Sequence, residues 1–172
     1  LSATLTGAVE LESLDGSAPV LAGVQVSVAG TSLVAVTDVD GGYSIAGVPP
    51  GSWAIQAVAT GYDLVTLTGI VLTLDDGGRE HVLPTLSLPL SRGDVTGIVA
   101  LKLPNGLVEA SGGASVSVDG LAGAELTDPE GSFFVAGVPV GIHQLTATKT
   151  GFLTSTSTVA VTRNAVYDLG TL

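Results

Sequence analysis

A hydrolytic relay needs a serine or threonine hydroxyl close to a histidine that an acid orients. The sequence is rich in hydroxyls but holds only two histidines, His81 between Glu80 and Val82, and His143 between Ile142 and Gln144. Their plainer reading is one surface histidine on a strand and one at the edge of a core. A second conceivable chemistry is calcium binding, because this hard cation wants several oxygens gathered together. Asp38-Val39-Asp40-Gly41 spaces two carboxylates as a calcium loop begins, with Asp38 and Asp40 as candidate ligands. The following Tyr43-Ser44-Ile45 adds no acid, and Asp and Gly are also what a tight turn demands. Asp75-Asp76 is a weaker pair of the same kind. The absence of cysteine excludes disulfides, thiolate metal sites and cysteine nucleophiles. The expectation is no catalytic residue, no cofactor and no resident metal.

The elements that would position these residues follow from composition. Charged residues make up 12% of the 172, against about a quarter in an ordinary soluble domain. Val, Leu, Ala, Thr and Ser take their place, and the β-branched members suit a pleated surface. Sixteen acidic residues face five basic ones, a net charge of -11. Arg79, Arg92, Lys102, Lys149 and Arg163 are scattered, so no basic patch exists to neutralise phosphates. Nucleic acid and anionic membrane surfaces are therefore not expected as partners. No run approaches the roughly 18 apolar residues of a membrane-spanning helix. With no initiating Met and no basic segment leading into an apolar one, the chain reads as a mature fragment. Few charges and a mean hydropathy of +0.58 leave a poorly solvated surface, suited to burial against neighbours.

The chain repeats itself. Thr37-Asp38 returns ninety residues later as Thr127-Asp128, and the same offset carries Thr6-Gly7 onto Thr96-Gly97 and Val26-Ser27-Val28 onto Val116-Ser117-Val118. Ala46-Gly47-Val48-Pro49 falls on Ala136-Gly137-Val138-Pro139, and Gly61-Tyr62 on Gly151-Phe152. No gap is needed from Thr6 to Tyr62; beyond it, module 1 has the extra loop Asp75-Asp76-Gly77-Gly78. In this alignment His143 stands where module 1 has Trp53, and Lys102 where it has Glu12. The boundaries are residues 1–90 for module 1 and 91–172 for module 2.

Within each copy, Gly and Pro punctuate short runs of period two, the pattern of a sandwich of short strands. Leu5, Gly7, Val9 and Leu11 form one inward set. Val24, Val26 and Val28, then Val34 and Val36, Tyr43 and Ile45, and Trp53, Ile55 and Ala57 continue it. Module 2 keeps the parity with Val99, Leu101, Val116, Val118, Phe133, Val135 and Leu145. Tyr62 and Phe152 also read as core. Asp40-Gly41-Gly42 and Glu130-Gly131 supply a tight turn between the third and fourth strands. No helical stripe of useful length appears, so helix is minimal. The segment Leu83–Gly93 reads as the last strand of module 1 running almost directly into module 2, a short connection that predicts a semi-rigid pair.

The run Thr37 to Gly51, followed by Gly61-Tyr62, resembles the carboxypeptidase regulatory-like domain, and so does its counterpart Thr127 to Gly141 with Gly151-Phe152. The resemblance implies a transthyretin-like fold: all-β, two tandem seven-stranded Greek-key sandwiches. It implies a non-catalytic accessory, stalk or surface module. The chain is also similar to collagen-adhesin B-type repeats, which often carry a Lys–Asn isopeptide bond promoted by an acid. That likeness singles out Lys102 and Asn164. Gln144-Leu145-Thr146-Ala147-Thr148 offers no acid, however, and alternation points Lys102 outward, so no such bond is expected. Transthyretin-related hydrolases need a His/Arg site and a C-terminal tyrosine-containing motif that the sequence lacks.

Trp53, Tyr43, Tyr62, Phe133 and Phe152 read as core, and Phe134 is the exception, outward by parity since Phe133 and Val135 point in. Ile98 in module 2, and Val58 and Ala54 in module 1, are outward too. Phe134, Ile98 and Val58 are thus the interface candidates. The reading is a non-catalytic extracellular or cell-surface protein, a fibre, stalk or surface-assembly subunit whose partners are copies of itself or neighbouring repeats. The alternatives are a glycan- or protein-binding module using loops such as Asp15-Gly16-Ser17 and Asp75-Asp76-Gly77-Gly78, or an accessory domain of a larger secreted enzyme.

Overall fold

The computed structural model describes residues 2–14 and 16–172, which are strands, turns and loops apart from one 3-10 turn at Leu74–Asp76. Leu1 and the loop residue Asp15 lie outside the described residues. The chain divides into two compact units, 1–90 and 91–172.

The first unit contains β1 (Ala3–Leu11), β2 (Gln25–Val28), β3 (Val34–Val36), β4 (Gly42–Val48), β5 (Gly51–Val58), β6 (Val65–Leu72), β7 (Glu80–Val82) and β8 (Leu86–Leu88). One sheet is centred on β1, antiparallel to β4 on one side and parallel to β7 and then β8 on the other. The second sheet has the order β3-β2-β5-β6, antiparallel throughout. Alternation sends Leu5 and Val9, Val26 and Val28, Ile55, Leu86 and Leu88 into one shared core. Full burial of such side chains stabilises by about 1.5–3 kcal/mol each.

Gly7 is paired across the sheet with Tyr43, and a Cβ there would stand 2.6 Å from the phenol oxygen. The glycine makes room for the ring, which is why Thr-Gly opens each copy. Gly97 does the same beneath Phe133, at 2.8 Å.

The second unit follows the same plan. Its first-strand sheet is β14 (Ser132–Pro139), β9 (Arg92–Ile98) and β17 (Val166–Thr171), with β9 and β17 parallel. The facing sheet is β13 (Glu125–Leu126), β12 (Ser115–Val118), β15 (Gly141–Thr148) and β16 (Ser155–Val161). Beyond a break at Val99 the first strand continues as β10 (Ala100–Lys102), which forms a separate antiparallel ribbon with β11 (Val108–Ala110). The expected seven strands thus become eight segments in module 1, where the last strand is broken around Pro84, and nine in module 2.

Four inward assignments need correction. Val34 and Val36 are 50% and 62% exposed, because β3 pairs with β2 through Val26↔Ala35 and so turns Leu33, Ala35 and Thr37 inward. A shift of one residue moves a whole strand's side chains to the other face. Phe152 is 40% exposed, and Trp53 only half-buried. The turn at Asp38–Gly42 is also no hairpin: it is a corner that passes the chain from the sheet of β3 to that of β4.

Candidate functional site

The polar residues that recur between the modules are committed to the backbone. Buried Thr37 donates its hydroxyl to Leu21 C=O and accepts the Val24 N–H at 3.0 Å, tying the loop before β2 to the end of β3. Thr127 makes the matching pair with Ser111 C=O and the Ala114 N–H, the latter at 2.8 Å. Beside it, Asp38 Oδ1 accepts the N–H groups of Asp40 at 3.0 Å and Gly42 at 2.8 Å. Asp128 Oδ1 accepts the Ser132 N–H at 2.7 Å. The corner needs a glycine in both copies: Gly41 and Gly131 have φ near +82 and +81, and a Cβ on either would meet a β1 or β9-edge carbonyl, Val9 or Val99, at 2.5 Å. Asp38, the first calcium candidate, is therefore occupied in shaping the corner, while the Asp40 side chain is exposed. Among the described residues no three His, Asp or Glu side chains gather as a metal site would require.

The two histidines have separate surroundings. His81 on β7 brings Nε2 to 3.2 Å from Asp76 Oδ1, an ion-pair distance. Thr73 gives Asp76 Oδ2 its N–H at 2.6 Å and its hydroxyl at 2.7 Å. These two hydrogen bonds hold the Asp76 carboxyl below its ordinary value, with the charges of His81 and Arg79 adding and partial desolvation opposing. His143 on β15 donates from Nε2 to Pro139 C=O at 2.9 Å, and its Nδ1 faces Asp119 Oδ1 at 3.1 Å. Neither ring has a serine or threonine hydroxyl among these contacts, where a nucleophilic relay needs one within hydrogen-bond reach.

Lys102 and Asn164 are far apart along the fold. Asn164 donates its N–H to Arg92 C=O at the start of β9, whereas Lys102 ends β10, ten residues further along the same edge. At ~3.3 Å per residue an extended run of that length spans up to about 30 Å.

Phe134, Ile98 and Val58 are 53%, 42% and 48% exposed. Thr96 pairs with Phe134 and Ile98 with Ser132, so Phe134 and Ile98 are diagonal neighbours on the outer face of one sheet. Their counterparts in module 1, Ser44 and Ala8, are polar or small. Val58 ends β5, where it pairs with Gln25.

Sequence reasoning missed the buried threonines, using Thr37-Asp38 and Thr127-Asp128 only as markers of the repeat and of the family resemblance. Recurrence of both residues at one offset was the signal. It also missed a cleft of about 590 Å³ in module 2 beside Lys102 and Phe152.

Residues 4–85 match the model of the family described as the carboxypeptidase regulatory-like domain. Module 1 is a carboxypeptidase regulatory-like domain. The matched span of that domain runs from the start of β1 to the residue before β8. No curated protein matches the chain. Among solved structures, the Bacillus anthracis TIE protein is similar over 98% of this chain at 16% identity, with a TM-score of 0.62. That likeness is one of fold, and the chain spans 33% of that structure's length. The minor pilin GBS52 of Streptococcus agalactiae is similar at 13% identity over 98% of this chain and 94% of its own, with a TM-score of 0.42.

Proposed function

We propose that the chain is a non-catalytic, extracellular or cell-surface structural protein, a fibre, stalk or surface-assembly segment built of tandem carboxypeptidase regulatory-like sandwiches. The observation that carries this reading is how the duplicated polar residues are used. Thr37 and Thr127, and Asp38 and Asp128, hold the backbone in the same way in both copies. The two histidines, His81 and His143, and Lys102 each occur in one copy only. What the repeat preserves is architecture. Outward Phe134 and Ile98, with a low surface charge density, supply faces for packing against neighbours or further copies.

The test is the state of assembly of the purified chain, by negative-stain electron microscopy with light scattering. Regular filaments or lattices, lost in Phe134→Ser with Ile98→Ala, are the expected result. Those substitutions copy the residues of module 1. Monodisperse monomers at all concentrations would overturn self-assembly of this segment.

A further inference from the structure

Among the described residues each module closes one sheet on a strand with no neighbour on its outer side, β6 in the order β3-β2-β5-β6 and β16 in the order β13-β12-β15-β16. An unpaired edge is a template for another strand, and sheets blunt it with bulges, charges or proline. The two edges differ in this respect. In module 1 the register passes from Ile55↔Leu67 to Trp53↔Ile70, so Thr68 and Gly69 together oppose Ala54. Gly69 has a φ of +81, and the bulge interrupts the edge. In module 2 the matching pairs are Leu145↔Ser157 and His143↔Val159, and Thr158 alone opposes Gln144. That ladder runs unbroken from Gly141↔Val161 to Ala147↔Ser155.

The groups on the open side of β16 follow from its neighbour. Gln144 donates its N–H to Asp119 Oδ1 at 2.9 Å, and its C=O accepts the Asp119 N–H at 3.0 Å. Both backbone groups of Gln144 therefore face the β12 side of β15. Alternation turns those of His143, Leu145 and Ala147 toward β16, where Val159, Ser157 and Ser155 meet them. Thr156, Thr158 and Ala160 are left with N–H and C=O directed to the open side, and all three residues are exposed. From Thr150 to Thr162 the sequence has no charged residue and no proline, and β15 beside it carries no carboxylate.

We infer that β16 is a pairing edge for a second copy of this chain, joined antiparallel about a two-fold axis at Thr158. Thr158 then faces its own counterpart and Thr156 faces the partner's Ala160, so every backbone group on the open side gains a match. Ser157 comes opposite the partner's Val159, and Ser155 opposite the partner's Val161. Core-facing side chains thus stay on the core face across the junction. The same patch serves both copies, as a two-fold contact requires. Charge argues for this occupant. A net charge of -11 opposes association of the chain with itself, and this edge brings two copies together with no carboxylate on either outermost strand. The pairing adds a lateral contact to the self-association proposed above. It does not use Phe134 or Ile98, which belong to the other sheet.

The test uses the full chain carrying Phe134→Ser and Ile98→Ala, so that its failure is read separately from any failure of fibre formation. The chain has no cysteine of its own. A hydrogen-bonded antiparallel pair sets its Cα atoms about 5.5 Å apart, within disulfide reach. Thr158→Cys should therefore oxidise to a covalent dimer about tenfold faster than Thr156→Cys, which faces an alanine in the partner. At concentrations where sedimentation shows dimer, exchange of the Thr156, Thr158 and Ala160 amides should slow by roughly tenfold or more relative to dilute monomer. Thr158→Pro removes an N–H that the ladder with β15 does not use, and Thr158→Lys sets two ammonium groups face to face. Either should abolish the dimer. Monomer at all concentrations, equal oxidation of the two cysteine variants, or a dimer that survives Thr158→Lys would overturn the pairing. Protection at Thr66 in place of Thr158 would overturn it as well, by moving the contact to the edge of module 1.

Discussion

Trp53 and His143 occupy one position in the two modules and make one hydrogen bond with different rings. Trp53 Nε1–H donates to Pro49 C=O at 2.8 Å, and His143 Nε2–H donates to Pro139 C=O at 2.9 Å. The acceptor is kept, the donor geometry is kept, and the chemical identity of the ring is not. Tyr43 and Phe133 differ in the same spirit: both rings lie over a glycine, and only one carries a hydroxyl. Glu12 and Lys102 go further, reversing charge at a position where, in module 1, Glu12 Oε2 accepts the Leu90 N–H. Positions that shape the sandwich therefore tolerate exchange of ring but not of role, whereas positions at its rim have changed role altogether.

The comparison is tested most severely at the corner glycines. Gly41→Ala and Gly131→Ala each force a Cβ to within 2.5 Å of a carbonyl at a positive φ, at a cost of about 3 kcal/mol. The expected outcome is equal loss of stability in the altered module alone, followed by residue-resolved hydrogen exchange. Unequal losses would break the equivalence of the two corners. Next in size is Thr37→Val, which removes a buried hydroxyl that both donates and accepts. It should cost about 2 kcal/mol in denaturant unfolding, and Thr127→Val the same.

Tyr43→Phe should have a smaller effect of opposite sign. The phenol oxygen is buried without a hydrogen-bond partner, and module 2 already has phenylalanine there. The substitution should stabilise module 1 by up to about 1 kcal/mol. Burial also raises the Tyr43 pKa above 10.0. A proton held more tightly in the folded state gives stability that is complete below that value and is lost as pH rises through the higher folded one. Wild-type module 1 should therefore weaken in alkali, and the variant should lose that part of the response.

The smallest effect is at Asp76, which module 2 lacks. Its folded pKa is depressed below 3.8. Its contribution is present above that value and fades as pH falls through the folded one. Thr73→Val should move the Asp76 midpoint, read by NMR titration, part of the way back toward 3.8.

Much of this architecture is visible in the chain because burial is periodic. Leu5 and Val9, and Val24, Val26 and Val28, alternate with polar neighbours, and the structure buries them all. The alternation misleads at β3, where valines at 34 and 36 look like core. A buried threonine at 37, satisfied by two partners across a loop, sets the parity instead. Hydropathy cannot register that a hydroxyl has found its partners. Phe152 fails for the complementary reason: it lines the open cleft beside Lys102, a surrounding that its own segment does not encode. The diagonal contact of Phe134 and Ile98 required the register of β9 against β14. Two outward parities alone do not supply it.

One feature common to both modules bears on mechanics. The first and last strands of each module are parallel neighbours, β1 with β7 and β8, and β9 with β17. A pull on the start of one and the end of the other slides them past each other in shear. The rungs between them then carry tension together, whereas an antiparallel terminal pair pulled from one end would open like a zip, one rung at a time.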